Sequence, residues 1–172
     1  MLRANDDPPP RHSHAVRLVS GQEERMTGSL RRGLALVAIL GLLVSCSSSP
    51  TSGPVSATEK EWQISLSSTN LKAGDITFNI TNNGDKQHEF IIRKTDLKAD
   101  SLPLNSDGEV IEDDPQLSEV GDPSEVGEID PGTSNATITV NLAPGHYVIF
   151  CNLHVGDLLH YKQGMHVDFT VS

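Results

Sequence analysis

Three side chains near the C-terminus have the chemistry of soft metal ligands. Cys151 ends the apolar run Gly145-His146-Tyr147-Val148-Ile149-Phe150-Cys151. His160 and Met165 follow, separated by four residues, in His160-Tyr161-Lys162-Gln163-Gly164-Met165. Thiolate and thioether sulfur select copper, and imidazole suits it. Two His, one Cys and a weak axial Met form a donor set suited to one-electron exchange at copper. The further imidazole must come from elsewhere in the chain, and His88 is the candidate. His154, three residues after Cys151, competes with His160 for the other His position.

Such groups meet only if the chain carries them to one place. Apolar residues alternate with polar ones at Trp62, Ile64 and Leu66, at Ile76, Phe78 and Ile80, and at Ile138, Val140 and Leu142. The same alternation puts His88 in phase with Phe90 and Ile92, Cys151 with Tyr147 and Ile149, and Met165 with Val167, Phe169 and Val171. Period two means half-buried strands. Turn signals separate them at Ala73-Gly74-Asp75, Asn82-Asn83-Gly84-Asp85, Pro131-Gly132 and Pro144-Gly145. No segment after Glu59 has a convincing helical period. The pattern predicts an all-β sandwich or barrel. The candidate ligands fall at strand ends on core-facing positions, so they can converge at one pole.

The 172 residues suffice for one ordinary domain. From Cys46 onward 19 Asp and Glu face 7 Lys and Arg. A nucleic-acid backbone would be repelled by that charge, and a cationic partner would be attracted. Acidic residues crowd the stretch 96–130, where Pro103, Pro115 and Pro123 forbid long regular elements. It reads as a solvated acidic loop, with room for a short strand at Val110-Ile111 or Val126–Ile129.

The first 45 residues read as an address. Arg31 and Arg32 precede the apolar run Leu34 to Val44, which small residues close at Ser45-Cys46. A charged start, a short apolar stretch and a small-residue cleavage site make an export signal. Leu43-Val44-Ser45-Cys46 resembles the bacterial lipobox, in which the Cys becomes the lipidated N-terminus. Cys46 is therefore the expected lipidation site, and the protein is expected to be extracytoplasmic and anchored to the membrane. Acidic and Pro-rich residues before Met26 do not fit such a signal, so translation is expected to start at Met26 and 1–25 to be an extension. Residues 26–45 would be the signal and 46–58 a Ser/Pro/Thr-rich tether of about 20 Å reach. Residues 59–172 would be the folded domain. No disulfide is expected, because Cys46 and Cys151 each have another role.

The residues of that domain resemble the cupredoxins, and most closely their sulfocyanin-like bacterial branch. The likeness spans roughly Glu59 to Ser172. Asn82-Asn83-Gly84 followed by His88-Glu89-Phe90-Ile91-Ile92 is similar to the strand that supplies the family's first His ligand. Pro144 through Cys151 is similar to the Cys strand, and His160 through Met165 to the segment of the second His and axial Met. The resemblance implies an eight-stranded Greek-key sandwich, one type 1 copper held by His88, Cys151, His160 and Met165, and one-electron transfer by a monomer to a redox partner. It also implies that electrons leave through a solvent-facing edge of His160. Glu89 and Asn152, each beside a ligand, are expected to support the ligands from behind. The spacing departs from the family: few residues usually separate the Cys from the second His. Here His160 lies nine after Cys151 and His154 three after. His160 keeps the His-x₄-Met spacing, with Val155 to Leu159 as an insertion. Leu158 and Leu159 are expected to form an apolar docking patch. The rival readings are a copper-delivery lipoprotein without electron turnover and a copper-free binding module. An enzyme is not expected, since enzymes of this kind join several such domains.

Overall fold

Alternating residues build two sheets that face each other across a single apolar layer. The computed structural model describes residues 49–172. Its strands are β1 (Val55–Lys60), β2 (Gln63–Leu66), β3 (Asn70–Leu71), β4 (Gly74–Asn82), β5 (His88–Lys94), β6 (Glu125–Ile129), β7 (Ala136–Leu142), β8 (Gly145–Phe150), β9 (His154–Val155), β10 (Leu158–Leu159) and β11 (His166–Val171), with one helical turn, α1 (His160–Gln163). One sheet runs β2-β1-β4-β7 and the other β3-β11-β8-β5-β6, while β9 and β10 form a separate hairpin. β1 lies parallel to β4, and β3 parallel to β11. The fold is the expected all-β sandwich.

Val55, Ala57, Phe78, Ile80, Phe90, Ile92, Ile138, Val140, Ile149 and Phe169 fill the space between the sheets. Cys151 and Met165 belong to the same packed cluster. Phe78 packs against both Phe90 and Phe169, with ring centroids 5.5 and 5.8 Å apart. The ligand-bearing strand ends are thus tied to a well-filled core.

Two expectations are corrected. Within the tether assigned to 46–58, residues from Thr51 onward are already structured: Thr51 bridges to Leu71 and β1 begins at Val55. β1 buries Val55, Ala57 and Glu59. Its inward residues are one Val, one Ala and one Glu, so no hydrophobic alternation marks it. The acidic stretch 96–130 is not a solvated loop either. Ala99, Leu102, Val110 and Leu117 are buried against Ile91, Val148, Phe150 and Tyr161 on the outer face of the second sheet. The stretch forms a cap with its own small core, and its acidic residues cover the outside.

The cap is also pinned by polar contacts. Arg93 is buried beneath it and donates to Ser124 Oγ at 3.2 Å and Glu112 Oε2 at 3.1 Å. The Ala99 amide donates to Asp168 Oδ1 at 3.0 Å, and the Leu102 amide to Tyr161 Oη at 2.9 Å. His146 lies between Thr95 O at 2.7 Å and Asp168 Oδ1 at 2.8 Å, on the face away from the main core. β6 falls at the second of the two strand positions expected in this stretch.

Candidate metal centre

β5 brings His88 inward beside Phe90, and the end of β8 delivers Cys151. The ladder between these strands stops at Ile91 opposite Phe150, so both side chains stand at its open end. The insertion after Cys151 folds onto itself: His154 pairs with Leu159 across the β9–β10 hairpin. The chain therefore returns to where it left, and the His160 amide donates to the Leu153 carbonyl at 2.9 Å. α1 then turns once and ends at Gly164, whose φ of +114° is the left-handed cap that glycine favours. That tight stop brings Met165 back: its amide donates to the His160 carbonyl, and its carbonyl accepts from the Cys151 amide, each at 3.1 Å.

The result is a buried cluster of His88, Cys151 and His160, with one donor atom from each within 4.8 Å of the others. His160 Nδ1 lies 3.3 Å from Cys151 Sγ and 3.3 Å from His88 Nδ1. All three residues and Met165 are wholly shielded from solvent. His154 lies apart, exposed on the hairpin with Nδ1 3.3 Å from Glu109 Oε1. Cys46 lies outside the described residues.

The protonation chemistry suits metal capture. Burial, outweighing Glu61, holds the His88 imidazole below its ordinary value. Burial and then the neighbouring His88 do the same to His160. Neutral imidazole is the ligating form. Burial pushes the Cys151 thiol up to about 12, eased by the amides of Glu89 and Leu153. A metal cation reverses that preference and takes the thiolate. Two inward Nδ1 atoms, one sulfur and an adjacent buried thioether fit copper better than a hard, oxygen-seeking cation.

The cluster is that of a type 1 copper site. It fits one copper ion per chain. No family model matches the chain, and no curated protein matches it. Solved structures do. Reduced auracyanin from the photosynthetic bacterium Roseiflexus castenholzii is 22% identical over 70% of this chain and 98% of its own, with a TM-score of 0.48. Reduced rusticyanin is 17% identical over 72% of this chain and 83% of its own, with a TM-score of 0.47. Auracyanin A, named a "blue" copper protein of Chloroflexus aurantiacus, is 20% identical over 70% of this chain and all of its own, with a TM-score of 0.43.

The surroundings differ in three ways from the sequence expectation. The carboxylate beside the His88 ring belongs to Glu61, whose Oε1 lies 3.5 Å from His88 Nε2, and not to Glu89. Glu89 contributes its backbone: its amide donates to Cys151 Sγ at 3.2 Å. Asn152 bonds to the cap, at Val110 N and O and at Glu112 Oε1, rather than to a ligand. His160 has no solvent edge, because Trp62 packs edge-on against it with ring centroids 5.0 Å apart. Glu61 and Trp62 form the turn between β1 and β2, and no sequence motif marks either. One further group escaped the sequence reading. Glu59 faces the core from β1, wholly buried, and neither carboxylate oxygen has a hydrogen-bond partner among the described residues.

Proposed function

We propose that this chain is an extracytoplasmic electron carrier that holds one type 1 copper through His88, Cys151, His160 and Met165. The observation that carries this reading is the convergence of His88 Nδ1, Cys151 Sγ and His160 Nδ1 in a buried cluster. Bound copper would supply one-electron chemistry between its Cu(I) and Cu(II) states. The protein's part is to hold neutral imidazoles and sulfur in one arrangement, to exclude water, and to tune the potential through contacts to the sulfur and the rings. Donor atoms this deeply buried leave no room for a substrate, which favours electron transfer over catalysis.

Electrons must cross the layer that covers His160. Trp62 belongs to that layer, and the β9–β10 hairpin leads directly into His160. The hairpin exposes Val155 and Leu158 immediately before His160, and Asp107, Glu109 and Asp157 line the adjoining hollow. An apolar tip with an acidic rim suits a cationic redox protein. The export-type segment before Cys46 and its lipobox-like ending support anchoring to a membrane by a lipid on Cys46. No helix among the described residues is long and apolar enough to cross a membrane.

The test is the visible spectrum of the full chain with one equivalent of Cu(II), beside His154→Ala and His160→Ala. An intense blue band that survives the first substitution and vanishes with the second is expected. The reverse pattern would move the ligand to His154. No band in the unsubstituted chain would remove the electron-carrier reading.

A further inference from the structure

We infer that Glu61 fixes the orientation and tautomer of His88 and, through its own charge, lowers the reduction potential of the copper, an inference that rests on the copper reading above. His88 Nε2 is buried with no closer hydrogen-bond partner among the described residues, and Glu61 Oε1 lies 3.5 Å from it. The carboxylate does not depend on His88 for its position. Its Oε1 accepts the amides of Asp85 at 2.8 Å and Lys86 at 2.6 Å. Gly84 leaves the space it occupies, since a Cβ there would stand 2.6 Å from both carboxylate oxygens. A backbone cradle therefore presents a fixed negative charge to the outer nitrogen of an imidazole whose inner nitrogen faces His160.

Two consequences follow from that placement. A carboxylate behind a ligand imidazole favours the tautomer with hydrogen on the outer nitrogen, which leaves the Nδ1 lone pair free for the metal. A negative charge beside the ligand shell also stabilises the more positive oxidised site over the reduced one. The adjacent Trp62 touches His160. One two-residue turn thus bears on both imidazoles.

Glu61→Gln separates charge from structure, because the amide keeps an oxygen for the Asp85 and Lys86 amides. In the copper-loaded full chain it is expected to weaken Cu(II) relative to Cu(I) by about tenfold, a rise of about 59 mV for a one-electron couple. Gly84→Ala displaces the carboxylate without removing it and is expected to shift the potential in the same direction. Nitrogen-15 NMR of the metal-free, unsubstituted chain is expected to find His88 protonated at Nε2, and Glu61→Gln to populate the other tautomer. If both variants keep their blue band and the original potential, or if metal-free His88 carries its proton on Nδ1, the inference falls and the copper site stands. If the unsubstituted chain forms no blue band, both fall.

Discussion

The backbone amide of Glu89 donates to the sulfur of Cys151 at 3.2 Å. It does so because the β5–β8 ladder ends at Ile91 opposite Phe150, and the amide two residues further on meets the thiol instead of a carbonyl. A donor aimed at sulfur favours the thiolate, but burial dominates and pushes the thiol up to about 12. The metal-free thiol therefore keeps its proton near neutrality, while burial leaves both imidazoles neutral. Copper uptake in weakly buffered solution near neutrality should release about one proton per metal, and affinity should rise about tenfold per pH unit. Cys151→Ala should abolish the release. An uptake indifferent to pH would contradict this account.

Glu59 makes stability depend on pH in the unusual direction. Burial first, and then the charge of Glu89, push its carboxyl from 4.5 up to about 8. Above 4.5 the unfolded chain gives up this proton and the folded chain keeps it, so stability falls as pH rises. The loss grows until about pH 8 and then levels off, at on the order of 4–5 kcal/mol. Glu59→Gln should remove this slope. Measured by denaturant unfolding of the metal-free chain, the variant should gain several kcal/mol on the unsubstituted protein between about pH 5 and pH 8. Parallel curves would show that Glu59 does not titrate in this way.

Gly164 is where backbone conformation and ligand geometry meet. Its φ is +114°, and a Cβ would lie 3.2 Å from the Trp62 carbonyl. Gly164→Ala should cost about 1–3 kcal/mol in chemical unfolding. Met165 follows directly, so the blue band of the copper-loaded variant should move in position or intensity. A spectrum identical to that of the unsubstituted chain would mean that Met165 is positioned without this turn.

The acidic cap can be tested by paired truncations. Leu117 is 5% exposed within the outer core, and Leu104 is 39% exposed. Leu117→Ala should destabilise the fold by about 2–5 kcal/mol, and Leu104→Ala by no more than about 0.5 kcal/mol. Equal small effects would return the stretch to a solvated loop.

The all-β architecture was legible because alternation is a local property. Ile76, Phe78 and Ile80 reveal their strand without reference to any other part of the chain. β1 was not legible, because its inward residues include Ala57 and Glu59, and only packing against β4 gives them an inside. The cap was hidden for a related reason. Ala99, Leu102, Val110 and Leu117 are spaced without a period, and their burial depends on a sheet face that the rest of the fold provides.

The same division runs through the site. By itself the sequence determined the donor types, a thiol, a thioether and several imidazoles, because chemistry belongs to the residue. It also determined their strand parity, because the pleat has period two. Only the tertiary structure decided which histidine comes to Cys151. The β9–β10 hairpin folds the intervening residues out and returns His160 to within 3.3 Å of the sulfur, leaving His154 outside. Only the tertiary structure set Glu61 behind His88, Trp62 over His160 and Glu59 in the core. Those relations join residues brought together by the pairing of β1 with β2 and β4 and by the packing of the two sheets, and no spacing along the chain encodes them.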